Sequence, residues 1–158
     1  MKIHRQFFLG IISAAPALFL VGLTMSFVLY YFFPWPIFKN ALVANSFIMV
    51  GAVLILLSTS LAFMAQRISR TVTNPKYKAT CPDLMQGPYA HSRHPGSLSL
   101  FGMFLGFTLV ANSLVMLVLA FALFLLLTVI FIPAQEKSIA SLCPEAYAEY
   151  KQKVRMWL

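Results

Sequence analysis

Hydrophobic residues are concentrated in four long stretches, and charged residues lie only outside them. The stretches cover about residues 7–33, 41–65, 95–111 and 114–132, and none contains Asp, Glu, Lys, Arg or His. A helix needs roughly 20 apolar residues to cross a bilayer, and backbone groups in hydrocarbon must pair internally. The period-two alternation of a membrane barrel is absent. The pattern therefore predicts an all-α integral membrane protein with four transmembrane helices in a single membrane domain, residues 1–158.

The third and fourth stretches are separated only by Ala111, Asn112 and Ser113, which predicts a tight helical hairpin. With Pro95 as the first helical residue, the third stretch has about 17 residues and a length of roughly 25 Å at 1.5 Å per residue. It either crosses a thinned bilayer or stops short of the far surface with Asn112 and Ser113 buried. We expect it to cross.

Composition agrees with a membrane location. Of 158 residues, 60% are hydrophobic and only 10% are charged, whereas a soluble domain is about half apolar and a quarter charged. A chain with 15 Phe is also too apolar to stay disordered. The formal net charge of +8 favours membrane lipids as partners. With so few polar positions, we expect no nucleic-acid partner, and the sequence specifies no oligomeric state.

The charged residues sort to one side of the predicted spans. Every Lys and Arg except Lys39 lies before the first stretch, between the second and third, or after the fourth, and all Asp, Glu and His residues do the same. Loops rich in Lys and Arg are cytoplasmic in multi-pass proteins. The sequence therefore predicts that both termini, loop 66–94, segment 133–158 and any active site there are cytoplasmic.

The C-terminal segment has apolar residues at helical spacing between Lys and Glu, which predicts an amphipathic helix at the membrane interface. These residues are Ala146, Tyr147, Tyr150, Val154 and Trp157. The two cysteines, Cys81 and Cys143, lie on the predicted cytoplasmic side, where disulfides are disfavoured. No Cys or His spacing indicates a metal site.

Candidate chemistry lies where the hairpin returns to the cytoplasmic face. Arg93 and His94 directly precede Pro95, at a helix N-terminus whose free N–H groups favour an anion. Glu136 follows the fourth stretch at a comparable distance from the Asn112 turn, so these side chains should be neighbours. Such a cluster suits a zwitterionic ligand, with its carboxylate on Arg93 and its ammonium on Glu136. The alternative is that these charges only contact lipid headgroups.

Two blocks of residues resemble a known family. Gly87-Pro88-Tyr89 followed by Ser92-Arg93-His94-Pro95 resembles the GPYxxxRHP signature of the isoprenylcysteine carboxyl methyltransferase and phospholipid methyltransferase superfamily. The second block, an acidic pair followed by spaced aromatic residues, is matched by Glu136, Ile139, Tyr147 and Tyr150. The resemblance covers about residues 84–158. The chain departs from the pattern at Ser97 and Ser99, where the family has Tyr and Gly, and at Gln135, which leaves one carboxylate.

This resemblance implies a membrane-embedded methyltransferase that uses S-adenosylmethionine. The acceptor would be lipophilic: an isoprenylcysteine-like carboxylate, a phospholipid amine or another small hydrophobic nucleophile. The implied catalytic residues are Arg93, His94 and Glu136. The implied cofactor-binding residues are Gly87, Tyr89, His91, Arg93, His94, Pro95 and Glu136.

Two other functions remain open. One is a nicotinamide-dependent, sterol-reductase-like membrane enzyme, because such enzymes have similar C-terminal signatures. The other is a non-catalytic membrane protein that keeps the pocket for binding or assembly.

Overall fold

A computed structural model describes residues 2–73, 85–142 and 144–157, and these ranges contain helices and no β-strand. A short 3₁₀ helix, Gly87–Ala90, precedes the third helix, and a π-helical segment, Leu127–Phe131, joins the fourth to the fifth. The α-helices are α1 Lys2–Phe32, α2 Ala41–Thr73, α3 Pro95–Val110, α4 Leu114–Leu126, α5 Ile132–Leu142 and α6 Pro144–Lys153. Cys81 and Cys143 lie outside the described residues.

Two of the helical segments are long and apolar enough to cross a membrane: Ala41–Ser69 in α2, and Leu114–Ser141, which runs from α4 into α5. Pro16–Phe32 and Pro95–Val110 are shorter apolar helices. In the most apolar 18 residues of these two segments, only 11% and 22% of the residues, respectively, are buried. A core helix of a soluble protein would be mostly buried. The predicted all-helical fold is confirmed, and two of the four predicted spans have the length that crossing requires.

Two helices continue past the apolar stretches that predicted them. α2 extends to Thr73, although the sequence predicted a loop from residue 66, because hydropathy marks the end of an apolar surface and not the end of a helix. The fourth stretch likewise continues as α5, and the π-helical turn lies just before Pro133. Pro133 offers no N–H to the helix, so the wider turn accommodates the missing bond.

Small residues allow α2 and α3 to pack very closely. A Cβ added to Gly106 would lie 2.5 Å from Cγ1 of Ile55 and 2.8 Å from the carbonyl oxygen of Gly51. A Cβ on Gly102 would clash with the Ser58 hydroxyl. Glycines four residues apart are a common device for close helix contact in membranes, and here they fix the helix that leads into the candidate site.

Asn112 ties the two turns at the far end of the bundle together. Its side chain accepts a hydrogen bond from the Phe38 N–H and donates one to the Phe38 carbonyl, both at 2.9 Å. Its backbone has a φ of +47°, a conformation that Asn adopts more readily than most residues. Ser113 is fully buried and caps α4 by accepting a hydrogen bond from Met116. The predicted hairpin is present, and it is held to the loop between α1 and α2.

The main core joins α1, α3 and α4. Phe19 of α1 meets Phe104 of α3 edge to face, with ring centroids 5.9 Å apart, and Ala120, Leu123 and Leu127 complete the cluster. The N-terminus of α3 and Glu136 of α5 meet at the end of the bundle opposite Asn112, where the candidate site lies.

Candidate functional site

The turn at Asn112 sends α3 and the α4–α5 helix back to the same end, where Arg93, His94 and Glu136 meet. Arg93 Nη1 lies 2.6 Å from Glu136 Oε1, and His94 Nε2 lies 3.2 Å from the same oxygen. The Arg93 and Glu136 side chains are only 12% and 14% exposed. The structure therefore brings the three predicted catalytic residues into one largely buried cluster.

Lys151 is a fourth member that the sequence analysis missed. Its Nζ lies 3.1 Å from the second carboxylate oxygen of Glu136 and 6.0 Å from the centroid of the Tyr147 ring. The available signal was its position four residues after Tyr147, on the same face of a helix. With Lys151 included, two cations surround one carboxylate.

His94 is held in its neutral form. Burial lowers the pKa of its imidazole, and hydrogen bonds to Glu136 and Gln135 oppose this only in part. A carboxylate can only accept hydrogen bonds, so Nε2 of His94 carries the ring hydrogen and donates a hydrogen bond to Glu136. Because His94 is neutral near pH 7, Arg93, Lys151 and Glu136 give the cluster a net charge of +1.

The apolar face of α6 packs inside the protein and positions Lys151. Tyr147 and Tyr150 are each 3% exposed and form a buried cluster with Val154 against Ile139 and Ala140 of α5. Three of the five residues predicted to form a membrane-interface face, Tyr147, Tyr150 and Val154, are thus buried against protein, because α5 continues beyond the membrane stretch and packs on them.

The residues after α6 hold the Arg93 segment in place. The Arg93 N–H donates to the carbonyl of Arg155 at 3.0 Å, and the Ser92 hydroxyl donates to the carbonyl of Met156 at 3.2 Å. The Trp157 ring packs on Phe124 of α4, with centroids 5.1 Å apart. The C-terminal segment therefore forms one wall of the site.

The remaining predicted cofactor residues are placed differently. Gly87 has a φ of +55° and packs on Ile68 of α2, and Tyr89 directs its hydroxyl towards α2, 3.5 Å from the Ala65 carbonyl. Burial raises the pKa of Tyr89, although a bond from Ser69 opposes this. His91 is exposed. Pro95 is buried as the first residue of α3, next to His94.

Two buried polar atoms of the site lack a hydrogen-bond partner among the described residues: Nε of Arg93 and the hydroxyl of Tyr147. Burial, together with the negative charge of Glu136, raises the pKa of Tyr147 to about 12, and the side-chain contact with Arg93 and the charge of Arg93 oppose the increase. The hydroxyl is therefore protonated at neutral pH and can donate.

An apolar groove of about 310 Å³ lies between α2 and α3. Leu98, at one end of this groove, is in the first turn of α3, and its N–H bonds to the His94 carbonyl at 3.1 Å. The groove residues are Leu54, Leu57, Ser58, Leu61, Leu98, Phe101, Gly102 and Leu105. His94 of the polar cluster is therefore one helical turn along the chain from the groove residue Leu98.

Comparison with known proteins yields no relative. No protein-family model, curated protein sequence or solved structure matches the chain.

Proposed function

We propose that this chain is a membrane-embedded methyltransferase that uses S-adenosylmethionine to methylate a lipophilic acceptor. One observation carries the proposal. Arg93 and His94 come from the block that resembles the RHP signature, Glu136 comes from the block that resembles the acidic signature, and all three meet within 3.2 Å. Residues 43 positions apart meet where the resemblance would require a cofactor pocket.

We further propose four membrane spans with the site at the cytoplasmic face. Large apolar side chains are exposed along α1, α2 and α4, and such extended apolar surface needs lipid or protein to cover it. α3 has 16 residues, or roughly 24 Å at 1.5 Å per residue, enough for a thinned bilayer. The positive charges around the site end of the bundle support the cytoplasmic orientation.

The cluster fits the amino-acid end of S-adenosylmethionine. Oε2 of Glu136, which Lys151 contacts, has a second lone pair that can accept a hydrogen bond from an ammonium group. The buried Nε of Arg93 is a donor for a carboxylate oxygen. The net positive charge of the cluster favours the added carboxylate. When bound, the cofactor supplies a methyl group on a sulfonium, which is already electrophilic.

The chain's own contribution would be positioning and the exclusion of water. Arg93 is fixed by its ion pair and by its backbone bond to Arg155. His94 holds the Glu136 carboxylate through a neutral hydrogen bond. A carboxylate acceptor needs no further base, whereas an amine acceptor must first lose a proton.

The groove between α2 and α3 supports a lipophilic acceptor. Its lining is apolar apart from the Ser58 hydroxyl, and it begins in the helical turn that follows His94. A hydrocarbon chain lying there would present its polar end to Arg93, His94 and Glu136. Membrane lipids and lipid-like small molecules are the class of acceptor with this shape.

One observation favours a non-catalytic role instead. Glu136 already contacts Arg93, His94 and Lys151, so the ion pairs could serve only to hold α3, α5 and α6 together.

The test is a titration of the purified protein in detergent with S-adenosylhomocysteine and, separately, with NADPH. We expect S-adenosylhomocysteine to bind and NADPH not to. Preferential NADPH binding would indicate the reductase, and no binding of either to folded protein would indicate the structural role.

A further inference from the structure

The Tyr147 hydroxyl is a buried polar group that lies beside Arg93 and Glu136 and forms no well-aligned hydrogen bond with either. Tyr147 is 3% exposed, and neither its hydroxyl nor Nε of Arg93 has a hydrogen-bond partner of good geometry among the described residues. Burying such groups unpaired costs free energy, and native structures contain few of them. Two such atoms at one site indicate a ligand that supplies acceptors.

Tyr150 shows that burial in this cluster does not by itself leave a tyrosine unpaired. It lies on the same face of α6 and is also 3% exposed. Its hydroxyl nevertheless donates to the Tyr89 carbonyl at 2.8 Å. The unpaired state is therefore specific to Tyr147, whose ring lies beneath Lys151 in the charged cluster.

The surroundings define the chemistry of the missing partner. Both oxygens of Glu136 are engaged, one by Arg93 and His94 and the other by Lys151. The nitrogen Nε of Arg93 is only a donor, and the tyrosine hydroxyl keeps its proton at neutral pH. The cluster also carries one excess positive charge. A carboxylate supplies two acceptor oxygens and the compensating negative charge.

We propose that the Tyr147 hydroxyl and Nε of Arg93 together bind a carboxylate of the ligand, so that Tyr147 is a ligand-binding residue. The inference rests on the proposed function and extends it, since it assigns the methionine carboxylate of the cofactor to these two donors. It also explains why a chain with one acidic residue at this site retains two cations there.

The test compares two ligands and two variants of the protein in detergent. S-adenosylhomocysteine carries the carboxylate, whereas methylthioadenosine keeps the nucleoside and the sulfur but lacks the amino-acid end. Tyr147→Phe should weaken S-adenosylhomocysteine binding by about tenfold to a hundredfold, the usual effect of losing a hydrogen bond to a charged group. Its affinity for methylthioadenosine should not change. Tyr31→Phe, at a side chain that is 82% exposed, is the matched control and should alter neither affinity.

The ligand-free protein provides a second measurement. Tyr147→Phe removes an unpaired hydroxyl, so the melting temperature should stay the same or rise. Tyr150→Phe removes a hydroxyl that is bonded to Tyr89, so the melting temperature should fall. A loss of stability in Tyr147→Phe as large as that in Tyr150→Phe would mean that the Tyr147 hydroxyl has a structural partner, which would overturn the inference.

The outcomes separate this inference from the proposed function. If S-adenosylhomocysteine binds wild type and Tyr147→Phe equally, the inference is wrong and the proposed function stands. If neither nucleoside binds, the proposed function fails, and acetate becomes the probe. Stabilisation of wild type by acetate, absent in Tyr147→Phe, would then support the carboxylate site. No difference between them would overturn it.

Discussion

The guanidinium of Arg93 and the carboxylate of Glu136 lie 2.6 Å apart, with both side chains largely buried. They come from opposite sides of the α3–α4 hairpin, and the same Glu136 oxygen also accepts from His94. A buried ion pair is costly to break, because the remaining partner keeps its charge without compensation. This pair therefore links the stability of the fold to the chemistry of the site.

Glu136→Gln should destabilise the protein, since it leaves Arg93 and Lys151 without a counter-charge. We expect a loss of about 3 kcal/mol, within the range for broken buried pairs, measured by unfolding in detergent. Glu149→Gln is the control, because Glu149 pairs with Lys153 at an exposed position, where ion pairs contribute little. Equal effects of the two substitutions would contradict the buried pairing.

The hydropathy pattern predicted the hairpin well for two reasons. An apolar helix ends where polar residues reach water, and a turn of three residues can join two helices only if they run antiparallel. That geometry also brought His94 and Glu136 together. Lys151 could not be predicted in the same way, since its position depends on α6 packing through Tyr147 and Tyr150 onto α5. The extension of α2 to Thr73 was missed because polar residues continue a helix without any hydropathy signal.

His94 should make stability depend on pH. Burial lowers the pKa of His94 in the folded state. As the pH falls below about 6.5, the ordinary pKa of histidine, the unfolded chain therefore binds a proton at His94 more readily than the folded protein does. Stability should therefore fall as the pH drops through and below that value, and should be independent of this group above it. Between pH 5 and 8, the melting temperature should fall more steeply with decreasing pH in wild type than in His94→Gln. Parallel curves would show that His94 is not responsible.

Close packing of α2 and α3 should make Gly106 sensitive to a single methyl group. Gly106→Ala would place a carbon 2.5 Å from Ile55 Cγ1 and 2.8 Å from the Gly51 carbonyl oxygen. We expect a loss of about 1–3 kcal/mol, as for other overpacked sites. A Cβ on Gly96 meets no atom within 4 Å, so Gly96→Ala should be neutral or mildly stabilising. Unfolding midpoints in detergent would measure both, and an unaffected Gly106→Ala would refute the close contact.

The groove between α2 and α3 can be tested with adjacent leucines of similar exposure. Leu57 lines the groove and is 64% exposed, whereas Leu56 is 68% exposed and does not line it. Leu57→Trp should fill the groove, raising the KM for a lipophilic acceptor while leaving S-adenosylhomocysteine affinity unchanged. Leu56→Trp should change neither quantity. If both variants turn over the acceptor like wild type, the acceptor binds elsewhere.

The most direct test of the central claim is methyl transfer by the purified protein in lipid vesicles. The protein would be incubated with methyl-labelled S-adenosylmethionine and a membrane lipid extract, and label in the organic phase would be counted. We predict label above that of empty vesicles, reduced at least tenfold in Arg93→Lys, which keeps the charge but loses the forked donor. Folded protein that binds neither S-adenosylmethionine nor S-adenosylhomocysteine and transfers no label would contradict the proposed function.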